Sequence, residues 1–141
     1  MTSVLIALGS NLGGRALFLR RAIRELREVI HLVRISSFIE TDPVDAPPPK
    51  YLNAVVAGYT ELSPQALLDA LHAIEARLGR RRGPRNAPRN IDLDLILYGA
   101  HLIRRRRLIV PHPRYLERNF VRSPIRELRL AWRDPITGVA L

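Results

Sequence analysis

Apolar residues along this 141-residue chain recur at two spacings, and the change from one to the other marks out the elements. The run VLIALG (4–9) is short and unbroken and leads into GSNLGG (9–14), a Gly/Ser/Asn turn, so it predicts a buried strand. Leu19, Ala22, Ile23, Leu26, Val29 and Ile30 then repeat at helical spacing and predict a helix over roughly 15–30. LVRISSFIET (32–41) is strand-like. DPVDAPPPK (42–50) is too rich in proline for a helix or a central strand, and YLNAVVAGYTE (51–61) predicts another strand. Ser63 caps a second helix with Pro64 at its first position. Leu67, Leu68, Leu71, Ile74 and Leu78 form its apolar face, and Gly79 stands just past its end. An arginine-rich loop (80–90) leads into the strand RNIDLDLILYG (89–99). A strand or extended segment (102–110) follows, then a turn and one or two short helices. The order β-α-β-β-α-β predicts a ferredoxin-like α+β fold. Its antiparallel sheet carries two helices on one face and an additional C-terminal strand/helix segment. No repeat, linker or second domain shows, so one domain over 1–141 is expected.

The strand RNIDLDLILYG poses a question of charge. Side chains alternate along a strand, so Asp92 and Asp94 share one face while Ile91, Leu93 and Leu95 share the other. If the apolar set faces the helices, the two carboxylates lie side by side on the open face, where they repel. Solvated aspartates paired with arginines would be one account. A Mg²⁺ site is the other, since that ion takes one or two protein carboxylates and fills its octahedron with water and substrate phosphates. The sequence context favours the metal: Arg80, Arg81, Arg82, Arg85 and Arg89 precede the pair, and Arg107, Arg114 and Arg118 follow it. Carboxylates for metal with guanidinium groups for phosphate are what phosphoryl transfer requires.

Composition narrows the partners. A 47% hydrophobic share is that of a globular chain, and the net charge of +10 implies anionic ligands without choosing among them. Lys50 is the single lysine, so nearly all the positive charge sits on arginine, which suits bidentate phosphate recognition. There is no cysteine, hence no disulfide or thiolate metal site. No apolar run approaches the ~18 residues of a membrane span, and the N-terminus lacks the features of a secretory signal. A cytoplasmic monomer without membrane contact is the simplest expectation. No G-x-x-x-x-G-K-[ST] is present, which excludes a P-loop enzyme.

Several ordered blocks together resemble the 6-hydroxymethyl-7,8-dihydropterin pyrophosphokinase family of folate biosynthesis. They are ALGSNLGGR (7–15), SSFIETDPV (36–44), YLNAVV (51–56), PRNIDLDLI (88–96) and VPHP (110–113) with Arg118-Asn119-Phe120 behind it. The resemblance implies transfer of the diphosphoryl group of ATP to the hydroxymethyl group of a reduced pterin, with release of AMP. It implies two Mg²⁺ ions on Asp92 and Asp94. Tyr51 and Phe120 resemble the aromatic pair that sandwiches the pterin ring, and Asn53 the amide that reads its edge. Thr41 and Val44 resemble further pterin contacts. Arg89, with Arg80 and either Arg81 or Arg82, resembles the loop arginines that act on the phosphates, and Arg82 is taken for the second position. His72, Glu75, Leu95, Arg107, His112 and Arg118 resemble ATP-binding positions. His72 stands where glutamine is common, and Asn86 where many relatives carry tryptophan. Gly79 and Gly83 would let the loop 80–90 close over ATP as a lid.

The rival reading is a basic ferredoxin-like domain that holds RNA on its sheet. Only 6% of residues are aromatic, and two aspartates on the open face would repel a phosphate backbone, so specific nucleic-acid binding is not expected. A Mg²⁺-dependent nuclease is opposed by the lack of an obvious third acid near Asp92.

Overall fold

A computed structural model describes residues 1–42, 50–79 and 90–141. The elements run β1 (Thr2–Ser10), α1 (Arg15–Leu26), β2 (His31–Ile35), β3 (Ile39–Thr41), β4 (Tyr51–Thr60), α2 (Pro64–Arg77) and β5 (Asp92–Tyr98). A hairpin of β6 (Ile103–Arg105) and β7 (Leu108–Val110), a 3-10 turn (Tyr115–Glu117) and α3 (Asn119–Leu128) complete the chain. The main sheet has the order β2-β4-β1-β5, and β3 lies beside β4 in line with β2. Each of its pairings is antiparallel. This is the ferredoxin-like α+β arrangement: β1, with Val4, Leu5, Ile6 and Leu8 buried, sits inside the sheet between β4 and β5.

Local chemistry explains the boundaries. The Ser63 hydroxyl accepts the Ala66 N–H at 3.1 Å and Pro64 opens α2, while Gly79 takes φ +86° just past its end. The expected strand over 32–41 divides in two. Ser36 leaves the ladder there, its N–H bonded to the Val55 carbonyl and its hydroxyl accepting the Val55 N–H, each at 2.9 Å. Helix α1 ends at Leu26 rather than near residue 30. Val29 and Ile30 instead cover the core from a turn, their N–H groups both reaching the Leu26 carbonyl.

Two cores form, one on each face of the sheet. On the helix face, Val4, Ile6 and Leu8 pack with Leu19, Leu26, Leu67, Leu71 and Ile74. Ile91, Leu93 and Leu95 join them, as their alternation predicts. The other face is not open, which corrects the sequence expectation. Leu5, Val55, Ala57, Ile96 and Leu97 pack there against Tyr115, Val121, Ile125 and Leu128, so α3 roofs part of the sheet. The strict alternation of β5 breaks at Ile96, where its register with β1 shifts and Ile96 and Leu97 turn to the same core. Two polar ties orient the roof. Arg34 donates to the Leu128 and Arg129 carbonyls at 2.5 and 3.0 Å, meeting the negative end of α3. Glu127 accepts the Ser37 N–H and hydroxyl at 2.9 and 2.6 Å.

Candidate active site

Where α3 stops covering the sheet, a cavity of about 1050 Å³ opens. Its floor is β1, β4 and β5, and its walls are α2, the β6–β7 hairpin, the 112–118 segment and the start of α3. Twelve residues singled out in the sequence lie among the described residues, and all twelve line this one cavity.

At one end stand Thr41, Tyr51 and Asn53, with Phe120 from the first turn of α3. Asn53 is buried, and its amide donates to the Thr41 hydroxyl at 2.5 Å, which fixes the amide plane across the β3–β4 pair. Gly9 of β1 pairs with Asn53 on one side and Asp92 on the other. A Cβ at Gly9 would lie 3.1 Å from Asn53 Oδ1 and 3.3 Å from the Tyr51 ring, so only glycine leaves both side chains their places. Arg15 ties this end together, donating to the Lys50 carbonyl at 2.9 Å and to Glu40 at 2.8 Å.

In the middle, Asp92 and Asp94 are half-buried on the cavity side of β5. Glu75 reaches the same strand from α2. It is 4% exposed, and its carboxylate accepts the N–H of Leu93, the residue between the two aspartates, at 2.8 Å. A plain surface charge is thereby excluded for Glu75. Among the described residues β5 is an edge strand of the sheet, and this carboxylate serves one of its outward backbone groups. Leu95 lines the cavity but is 4% exposed within the helix-face core, so the cavity touches only its rim.

At the other end are exposed His72 and Arg107, the latter at the hairpin tip, with His112 and Arg118 from the segment before α3. The His112 N–H donates to the Ile96 carbonyl at 2.9 Å, which pins this segment to β5. Burial and then the Arg118 guanidinium hold the His112 imidazole below its ordinary value; the Pro113 carbonyl and the Asp92 carboxylate pull the other way and are outweighed. The Arg118 guanidinium lies 5.9 Å from the centroid of the Phe120 ring, linking the cationic end to the aromatic one.

Val44, Arg80, Arg82 and Arg89 lie outside the described residues, as do most of the 80–90 loop and the lid expected there. Sequence reasoning missed Gly9, Arg15 and Arg106, and named Arg114 only among the arginines that follow the carboxylates. Arg106 and Arg114 also line the cavity. Gly9 carried a signal in the GSN turn, though its role is set by a strand pairing. Arg15 and Arg106 carried none beyond being arginines.

The donor set suits a hard cation. Two carboxylates share a strand face that opens into a cavity flanked by guanidinium groups, which leaves the remaining coordination positions to water and phosphate oxygens. Among the described residues no group of three or more His, Cys, Asp or Glu could hold a metal ion. Among these residues, too, no helix is long and apolar enough to cross a membrane.

Comparison with known proteins places this cavity in context. The family profile described as 7,8-dihydro-6-hydroxymethylpterin-pyrophosphokinase (HPPK) matches residues 5–130. The chain is 43% identical over 126 residues to the 2-amino-4-hydroxy-6-hydroxymethyldihydropteridine pyrophosphokinase of Bacillus subtilis, covering 87% of this chain and 75% of that protein. It is 45% identical over 127 residues to the mitochondrial folate synthesis bifunctional protein of Arabidopsis thaliana, covering 89% of this chain. The chain spans only 23% of the length of that bifunctional relative. In three dimensions it resembles wild-type Plasmodium falciparum HPPK-DHPS, solved with pterin and p-hydroxybenzoate. The TM-score is 0.75 at 12% identity, over 99% of this chain and 40% of that one.

Proposed function

The chain belongs to the 7,8-dihydro-6-hydroxymethylpterin-pyrophosphokinase family, and on that footing we propose that it transfers the diphosphoryl group of ATP to 6-hydroxymethyl-7,8-dihydropterin in folate biosynthesis. The pterin hydroxyl oxygen attacks the β-phosphorus and loses its proton. The bond from that phosphorus to the bridging α-phosphate oxygen breaks, and AMP leaves with the bridging oxygen. The observation that carries this reading is what one cavity gathers: aromatic and amide groups, two carboxylates and several cationic groups, with Asn53, Gly9 and Asp92 in one row across β4, β1 and β5.

Each end suits one substrate. Tyr51 and Phe120 offer aromatic faces to a flat heterocycle. Asn53, its amide oriented by Thr41, offers donor and acceptor to the ring edge, and Val44 adds a further pterin contact. His72, Arg107, His112 and Arg118 bind the nucleotide and its phosphates, with Leu95 against the base. Arg80, Arg82 and Arg89 act on the transferring group as its charge shifts. Asp92 and Asp94 are the residues that would hold the two Mg²⁺ ions. Metal bound there supplies neutralisation of the phosphate charge, which otherwise repels an approaching oxygen nucleophile. Glu75 keeps the carboxylate-bearing strand in register. Holding hydroxyl and β-phosphorus in one geometry supplies much of the acceleration, since no covalent intermediate is required.

On this reading one copy of the chain, a single domain over 1–141, holds both substrates and acts as a monomer in the cytoplasm. The charge of +10 attracts any polyanion at low salt, and such attraction falls steeply as salt rises. Incubation with ATP, Mg²⁺ and the hydroxymethyl pterin tests the proposal. AMP is the expected nucleotide product; ADP would mean transfer of one phosphoryl group and would refute it.

A further inference from the structure

The residues that present His112 and Arg118 to the cavity form a short irregular segment; besides the His112 N–H bond to the Ile96 carbonyl, its hold on the fold lies in the core beneath α3. Within it the Tyr115 N–H donates to the His112 carbonyl at 3.3 Å and the Arg118 N–H to the Tyr115 carbonyl at 3.4 Å. These are long bonds for a segment with a precise task. Arg114 stands at φ 58°, ψ 26°, the left-handed region that disfavours a residue with a Cβ. Such a conformation persists where its surroundings over-determine it.

The surroundings are Tyr115 and what grips it. Its ring is buried in the core beneath α3, and its hydroxyl donates to Asp134 Oδ1 at 2.6 Å. Asp134 is itself 3% exposed and held by its own turn. Its Oδ2 accepts the Thr137 N–H and hydroxyl at 2.7 and 2.8 Å and the Ile136 N–H at 3.2 Å. Its backbone N–H donates to the Val139 carbonyl at 2.8 Å. Neither Tyr115 nor Asp134 lines the cavity, and Asp134 lies beyond the family-matched residues 5–130.

We propose that Tyr115 and Asp134 are positioning residues for the nucleotide end of the site: Asp134 fixes Tyr115, and Tyr115 fixes the backbone that aims His112 and Arg118. The inference deepens the reading of the cavity as an ATP and pterin site and rests on it. Burial alone would push the Asp134 carboxyl up; the hydrogen bonds from Tyr115, Thr137 and Ile136 outweigh it and hold the carboxyl below its ordinary value. The acceptor is therefore ionised near neutral pH, and a charged acceptor makes the stronger bond. Burial first, then the bond to Asp134, raises the Tyr115 phenol well above its ordinary value, so it remains a donor. Thr41, Tyr51 and Asn53 at the pterin end are held by β3, β4 and Arg15, away from this pair, whereas Phe120 packs against the same core as Tyr115.

Tyr115→Phe removes the hydroxyl and keeps the buried ring; Asp134→Asn keeps the shape and removes the charge. The full chain is titrated with a non-hydrolysable ATP analogue plus Mg²⁺ and, separately, with the pterin, well below each melting temperature. Tyr115→Phe is expected to weaken the ATP analogue roughly three- to ten-fold, as the loss of one buried hydrogen bond would. Pterin affinity should fall less than ATP affinity and kcat should change little, while KM for ATP rises in step. The double variant should be no weaker than Asp134→Asn alone, because the two act in series. A readout free of ligand accompanies these: the imidazole resonances of His112 followed against pH. Loosening of the segment should raise the His112 pKa toward its ordinary value in Tyr115→Phe. Equal weakening of both ligands, or an unchanged ATP affinity and His112 titration beside a lowered melting temperature, would overturn the inference. If wild type yields no AMP, the functional reading fails, and the His112 titration still decides this one.

Discussion

Glu75 is the position where the structure changes the chemistry expected from the sequence. Its carboxylate, 4% exposed, accepts the Leu93 N–H at 2.8 Å and so holds the backbone between Asp92 and Asp94. Glu75→Ala deletes a charged acceptor and leaves that N–H buried without it. A hydrogen bond to a charged group contributes about 1.5–3 kcal/mol, and an unmet buried donor costs about 1–3 kcal/mol. The two overlap, and about 3 kcal/mol is a fair sum. For a chain of this size each kcal/mol moves the melting temperature by about 2–4 °C, so a fall of about 10 °C is expected. Turnover should fall steeply as well, because β5 then no longer holds its two carboxylates at one spacing. Glu75→Gln retains an acceptor oxygen and loses only the charge assistance, about 1 kcal/mol. It should melt within a few degrees of wild type and keep most of its activity. Calorimetry and AMP formation on the three proteins make the comparison. If Glu75→Gln melts like wild type yet is as inactive as Glu75→Ala, then the charge of Glu75 acts on the substrate or metal, and the positioning argument is wrong.

Asp92→Asn and Asp94→Asn should each abolish nearly all AMP formation at ordinary Mg²⁺; near-wild-type turnover in either would remove the metal role. Gly9→Ala should weaken pterin binding several-fold and leave the ATP analogue untouched, because the added Cβ would press on Asn53 and Tyr51 at 3.1 and 3.3 Å; parallel titrations with both ligands test this. His112 gives two opposed pH trends. Its imidazole lies below the ordinary 6.5 in the folded protein, so the unfolded chain takes up the proton first and stability falls as pH drops through 6.5. Bound phosphates favour the imidazolium, so ATP affinity should rise over that same fall in pH. His112→Asn should flatten both trends in titrations compared with wild type, and an unaltered pH profile would place His112 away from the phosphates.

The secondary structure was legible because it rests on local chemistry. Helix α2 shows this: Ser63, Pro64, five leucine and isoleucine positions and Gly79 each act within a few residues of themselves. The split of the 32–41 strand was not legible. It depends on Ser36 bonding Val55, and neither residue signals the other across that separation. The site shows the same division. The alternation in β5 dictated that Asp92 and Asp94 share a face opposite Ile91, Leu93 and Leu95, because side-chain direction in a strand has a period of two. Residue types dictated a chemistry of carboxylate, guanidinium and flat aromatic groups. What closes the far face, which glycine a cavity wall requires, that Glu75 serves a backbone group, and that Asp134 anchors Tyr115 are all contacts between distant parts of the chain. Such contacts exist only once the sheet order has brought those parts together, and a one-dimensional pattern carries no record of that meeting.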